Sequence, residues 1–167
     1  MNILLFADEM GFSGGTQLDT FLQNKLPSGT TVTTAAAVGR TSFTAVNEIE
    51  SAVNGGIYDV CVILVGTNDS QQDNPKITAQ NIRKAAKNAK NAGPGVVICT
   101  PVSERQSEVT AWLNRLNNNP AYKIVDVAAP FFEGGYADSS NQGPQGPIGF
   151  PTSEGNALIA EAIASAI

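Results

Sequence analysis

Two uninterrupted apolar runs, Val60-Cys-Val-Ile-Leu-Val65 and Val96-Val-Ile-Cys99, do most to restrict what this chain can fold into. A strand with one wet face alternates apolar and polar residues, whereas a run without alternation needs cover on both faces, as in a parallel sheet between helices. The segments between the runs supply those helices. The pattern predicts strands at Ile3 to Phe6, Thr31 to Ala36, Val60 to Val65, Val96 to Thr100 and Lys123 to Val127. Helices are predicted from Thr16 to Asn24, Phe43 to Val53, Pro75 to Ala92 and Glu108 to Leu116, with a closing helix from Ser153 to Ile167 behind an N-cap at Thr152 or Ser153. Strands and helices in strict succession give βαβ units and an α/β fold.

The helical stripes fit that architecture. Ile82, Ala85, Ala86 and Ala89 share one face of the third helix, leaving Lys76, Arg83, Lys84, Lys87 and Lys90 on the rest. Those cations read as a solvated face, with an anionic partner as the other option. Ile159, Ala162, Ile163, Ala166 and Ile167 line one side of the last helix, which is expected to pack on the sheet.

Residues 1–167 are read as one domain, since a chain of this length with 42% apolar residues can build a single core. The opening run Met1-Asn-Ile-Leu-Leu-Phe6 lacks a basic flank and soon meets Asp8 and Glu9, so neither a signal peptide nor a membrane span is expected and synthesis is assigned to the cytoplasm. Only 15% of residues are charged and the formal net charge is -5, which argues against nucleic-acid or membrane-surface partners. Cys61 and Cys99 sit among Val and Ile in predicted strands and are expected to be free, buried thiols rather than a disulfide.

Between 128 and 151 the regular pattern stops, and a long Gly/Pro/aromatic loop is expected. Gly143, Gly146 and Gly149 recur at every third position with Pro144 and Pro147 behind the first two, favouring local polyproline geometry. Phe131, Phe132, Tyr136 and Phe150 either fold back on the domain or meet a protein partner.

The sequence contains no histidine. Histidine is the usual general base near neutrality and a frequent metal ligand, so Ser-His-Asp and Cys-His catalysis and imidazole-based zinc sites are excluded. Gly11-Phe-Ser13-Gly-Gly15 matches the Gly-x-Ser-x-Gly elbow, but the serine does not directly follow a strand and no histidine comes after it, so the glycines are read as shaping a turn.

In an open α/β sheet, ligands bind beyond the carboxyl ends of the strands. Three segments arrive there: Ala7-Asp-Glu-Met-Gly-Phe-Ser-Gly14, Val38-Gly-Arg-Thr-Ser42 and Val65-Gly-Thr-Asn-Asp69. With Gly66-Thr-Asn-Asp69 after an apolar strand, the Gly39 turn, and Pro151-Thr-Ser-Glu-Gly155 opening the last helix, the chain resembles the SGNH (GDSL-like) hydrolase superfamily over nearly its whole length. The resemblance implies a three-layer, flavodoxin-like, doubly wound sheet of about five parallel strands in the order 2-1-3-4-5. It also implies ancestry among esterases, lipases and carbohydrate deacetylases. The family's nucleophilic serine position holds Glu9, its aspartate position Pro147 and its histidine position Phe150, while the oxyanion donors match Gly39 and Asn68. A carboxylate at Glu9 would repel the oxyanion those donors would otherwise stabilise.

The chain is therefore expected to be a non-catalytic member of that superfamily, without metal or cofactor. Asp8, Glu9, Gly39, Arg40, Asn68, Asp69 and Phe150 are candidate ligand contacts, with a surface glycan as the alternative ligand. Asp8, Glu9 and Asp69 could also pair for glycosidic hydrolysis or hold a divalent cation, but a hydrogen-bonding role for Asp8 in its turn and a loop-capping role for Asp69 suffice. The expected role is a structural or binding component of a larger assembly, in concrete form a bacteriophage virion protein decorating the capsid or associated with the tail. A weak esterase using unconventional groups is the remaining alternative.

Overall fold

In the computed structural model, the described residues are 1–11, 18–69, 74–102, 105–118, 122–128, 137–142 and 149–167, with 137–142 and 149–150 described as backbone. The strands are β1 (Asn2–Ala7), β2 (Thr31–Ala36), β3 (Val60–Leu64), β4 (Gly95–Cys99) and β5 (Lys123–Val125). The helices are α1 (Leu18–Lys25), α2 (Ser42–Asn54), α3 (Pro75–Asn91), α4 (Gln106–Leu116) and α5 (Ser153–Ala164). All five strands are parallel, in the order β2-β1-β3-β4-β5. The expected doubly wound α/β fold is the one observed.

Period-2 geometry sends neighbouring side chains of each strand to opposite sides. Ile3, Leu5, Val62, Leu64, Val97 and Cys99 face α1 and α5, where Leu18, Leu22, Ile159, Ala160 and Ile163 meet them. Leu4, Phe6, Cys61, Ile63 and Ile98 face the other way, onto the apolar stripes of α2, α3 and α4. The register that sets Leu4 beside Cys61 and Phe6 beside Ile63 keeps each layer continuous across the sheet. Cys61 and Cys99 are free and buried, and burial pushes both thiols up to about 12.

The helix ends follow local chemistry. Thr41 caps α2, its hydroxyl accepting from the Thr44 N–H while the Thr44 hydroxyl accepts from the Thr41 N–H. Asn74 caps α3 ahead of Pro75, and Thr152 caps α5 by accepting from the Gly155 N–H at 3.2 Å. Among the described residues, no helix is long and apolar enough to cross a membrane.

The segment expected as an irregular loop over 128–151 is partly regular. Ala137–Gln142 and Gly149–Pro151 pair antiparallel as β6 and β7, with a register shift between Asp138 and Gln142. The sequence Ala-Asp-Ser-Ser-Asn-Gln carries neither alternation nor β-branched residues, so pairing to a second strand supplies what local preference does not. The polyproline reading of 143–149 falls almost wholly outside the described residues, as do Phe131, Phe132, Tyr136 and Pro147.

Candidate functional site

β1 stops at Ala7 and the chain turns at once through a 3₁₀ turn, Glu9–Gly11, at the carboxyl edge of the sheet. Asp8 lies fully buried beneath that turn. Its Oδ1 accepts from the Met10 N–H at 3.0 Å and its Oδ2 from the Thr67 N–H at 3.1 Å, so one carboxyl ties the end of β1 to the loop after β3. Burial raises its pKa to about 7, the adjacent Glu9 charge acts in the same direction, and the donors from Met10 and Thr67 pull it down. The turn role foreseen for Asp8 is the observed one; Thr67 as its partner is not marked by any sequence pattern.

Glu9 is also buried, only 3% exposed. Its Oε2 accepts from the Gly39 N–H at 3.2 Å and from Asn68 Nδ2. Gly39 has φ of 77°, a conformation that glycine adopts freely. The Asn68 amide also donates to the Arg40 carbonyl at 3.1 Å, which fixes its plane. Gly66, with φ of 118°, leads into Asn68, and a Cβ there would stand 3.0 Å from the Pro101 Cβ. The two donors expected to serve a developing oxyanion thus converge on a carboxylate oxygen of the chain itself. Repulsion of an oxyanion was the expectation; direct occupation of both donors is the finding.

Two candidate ligand contacts have other work. Arg40 points inward: Nη1 donates to the carbonyls of Ala7 and Ala35, both at 2.5 Å, Nε donates to Glu48 at 2.8 Å, and the guanidinium lies 4.0 Å from the Phe6 ring centre. It clamps the ends of β1 and β2 and is not available to a ligand. Asp69 Oδ1 accepts from the Ser42 N–H at 2.8 Å, at the first turn of α2; the loop that Asp69 was expected to cap lies outside the described residues. A carboxylate is favoured there because the first turn carries unsatisfied N–H groups and the positive end of the helix dipole. Phe150 lies in β7 opposite Asp138, and its side chain lies outside the described residues.

The structure therefore brings Asp8, Glu9, Gly39, Arg40, Asn68 and Asp69 together as a cluster at the carboxyl edge of the sheet: Glu9, Gly39, Asn68 and Arg40 share hydrogen bonds, while Asp8 bonds to Met10 and Thr67 and Asp69 to Ser42. Asn68 Oδ1 and Asp69 Oδ2 are buried acceptors without a hydrogen-bond partner in that cluster. Among the described residues, no group of three His, Cys, Asp or Glu side chains is placed to hold a metal ion. Nothing in the cluster combines a nucleophile with a neighbouring base.

No protein-family model matches the sequence. No curated protein matches it either. Solved structures do match in shape. A member of the lipolytic protein G-D-S-L family from Veillonella parvula superposes with a TM-score of 0.79 at 18% identity, covering 99% of this chain and 97% of that one. A psychrotrophic esterase from Pseudoalteromonas gives 0.74 at 18% identity, covering 99% and 95%. An acetyl xylan esterase gives 0.75 at 15% identity, covering 100% of both chains. At such identities the likeness speaks for architecture, and residue roles must be read from this chain. The chain has the fold of the SGNH (GDSL-like) hydrolases.

Proposed function

We propose that this chain is a non-catalytic domain on that fold, serving as a structural or binding component of a larger assembly. The observation that carries the reading is the Glu9 carboxylate held by the Gly39 N–H and Asn68 Nδ2. Acyl transfer needs those donors free to meet charge as it develops on a substrate oxygen. Here they already hold a negative oxygen, delivered by the side chain that stands where the resemblance puts the nucleophile. An incoming ester carbonyl is a weaker acceptor than a carboxylate and cannot displace it at little cost. The absence of histidine removes the general base as well.

The assembly we have in view is a bacteriophage virion, with the chain decorating the capsid or attached to the tail. Its support is compositional: scarce charge, abundant Asn, Thr and Gly, and the Gly/Pro/aromatic segment around 128–151. Mass spectrometry of purified particles would find the chain at stoichiometric copy number; its absence from every particle fraction would refute the virion form. Hydrolysis of p-nitrophenyl acetate is expected to match buffer, and a saturable rate abolished by Glu9→Gln would overturn the non-catalytic reading.

A second reading takes a surface glycan as ligand at the carboxyl edge of the sheet, where Asn68 Oδ1 and Asp69 Oδ2 are acceptors without a partner but buried, so that a sugar hydroxyl must first displace what covers them. It expects saturable binding on a glycan array, lost in Asn68→Ala. Flat signals across the array would remove it.

A further inference from the structure

The chain's positive charge is concentrated on one face. Lys76, Arg83, Lys84, Lys87, Lys90 and Arg115 are six of its ten basic residues, all on α3 and α4, where Glu108 is the one acidic residue, leaving four basic residues against fourteen acidic ones elsewhere. No acidic residue lies on α3. At 100° per residue, Lys76, Arg83, Lys87 and Lys90 fall on one stripe about 21 Å long, with Lys84 and the half-exposed Ile77 beside it. Aromatic rings on the neighbouring elements hold much of this stripe in place. Lys76 and Arg115 lie 5.2 and 4.8 Å from the Trp112 ring centre, and Arg83 and Lys90 lie 5.2 and 5.8 Å from that of Tyr122. A ring orients a cation without cancelling its charge. Lys76, Lys84, Lys87 and Lys90 have no carboxylate within 4.0 Å among the described residues.

The opposite side of the sheet carries a counterpart. On α5, Glu154, Leu158 and Glu161 stand at i, i+4 and i+7, with Leu158 39% exposed between two exposed carboxylates. Lys25 reaches Glu161 at 3.1 Å, but both side chains of that pair are exposed and such a pair is weak. Each helix thus presents exposed charge of one sign beside an exposed apolar residue, Ile77 on α3 and Leu158 on α5.

We infer that the α3/α4 face of one copy docks on the α5 face of the next, so that copies of this chain associate head to tail. Two basic stripes cannot meet across a two-fold axis without repulsion, so the contact is heterologous and generates a ring or an open stack. A second copy is the occupant because its α5 face offers exposed carboxylates to this stripe; binding of a polyanion such as nucleic acid is an outcome that the test separates from it. The inference goes beyond the proposal above, because a catalytic chain with the same two faces would stack equally well, and the two fail separately.

Sedimentation velocity on the full chain, from about 10 to 500 μM, is the test. At 50 mM NaCl the weight-average sedimentation coefficient is expected to rise with concentration, and at 500 mM NaCl to return to the monomer value. The doubly reversed Lys84→Glu/Lys87→Glu and Glu154→Lys/Glu161→Lys variants should each associate at least tenfold more weakly. Mixing them should restore association, because each mixed contact then pairs opposite charges. All four positions are exposed, and far-UV circular dichroism checks the fold. A monomer at every concentration and salt, or association unchanged by either reversal, overturns the inference. So does a monomer that binds a single-stranded 20-mer oligonucleotide through Lys84 and Lys87, since the stripe would then serve a polyanion.

Discussion

Replacing Asp8 with asparagine should change how stability depends on pH. In the unfolded chain Asp8 has a pKa of 3.8; in the fold, burial first and the neighbouring Glu9 second raise it to about 7. Between those values the folded protein keeps a proton that the unfolded chain has released, so the free energy of unfolding falls as pH rises through the window. Stability linked to this carboxyl is complete below pH 3.8 and is lost by the time pH passes about 7. About three pKa units at about 1.4 kcal/mol each give about 4 kcal/mol, an order-of-magnitude figure for one buried group. The amide of the Asp8→Asn variant would not titrate. Its single carbonyl oxygen can serve only one of the Met10 and Thr67 N–H groups that Asp8 now accepts from, a constant cost of about 1 to 2 kcal/mol. The variant is therefore expected to be less stable than the parent at pH 4 and more stable at pH 8, the difference moving by about 4 kcal/mol. Urea unfolding followed by Trp112 fluorescence, in buffers of constant ionic strength, measures it, and the paired comparison cancels every other titrating group. An offset that stays constant within about 1 kcal/mol from pH 4 to 8 would refute the reasoning.

Glu9→Ala leaves the Gly39 N–H and Asn68 Nδ2 without their acceptor, and is expected to cost about 2 kcal/mol after relief of the repulsion on Asp8; it should also lower the pH at which Asp8 titrates, visible in the same unfolding series. Arg40→Met removes the guanidinium from the Phe6 ring and leaves the Ala7 and Ala35 carbonyls without their donor, with an expected loss of about 2 to 3 kcal/mol by thermal or urea unfolding. Cys61 and Cys99 should be inert to a thiol-reactive disulfide reagent until the chain is unfolded, when both react; rapid labelling of the native protein would contradict their burial.

The parts of the fold that sequence disclosed are those governed by local period. Cys61 to Leu64 and Ile98 to Cys99 are wholly buried, as unbroken apolar runs require, and the α3 stripe of Ile82, Ala85, Ala86 and Ala89 is buried as its spacing demands. The limits of β5 and α5 come out shorter than predicted, at Val125 and Ala164, because apolar residues past a strand or helix end still pack on the core. The β6–β7 pairing is nonlocal and leaves no periodic trace. At the site, the resemblance placed Glu9, Gly39 and Asn68 in one neighbourhood. That one oxygen would take both donors depends on where the Glu9 rotamer points after a 3₁₀ turn, which no spacing encodes. Arg40 and Asp69 read as candidate ligand contacts, with Asp69 also a possible loop cap, because sequence does not show that nearby carbonyls and the first turn of α2 engage them.

The Glu9 contact also sets the order in which changes at this site can matter. While the Gly39 N–H and Asn68 Nδ2 hold the Glu9 carboxylate, a nucleophile or base introduced nearby would find no free oxyanion donors to work with. Only a chain that first gives up Glu9, and bears the stability loss, reaches a background in which a nucleophile, a base and an orienting acid become useful one after another. On the non-catalytic reading proposed above, building acyl-transfer chemistry into this fold therefore begins with a destabilising step, because the carboxylate that fills the donor pair also holds it together.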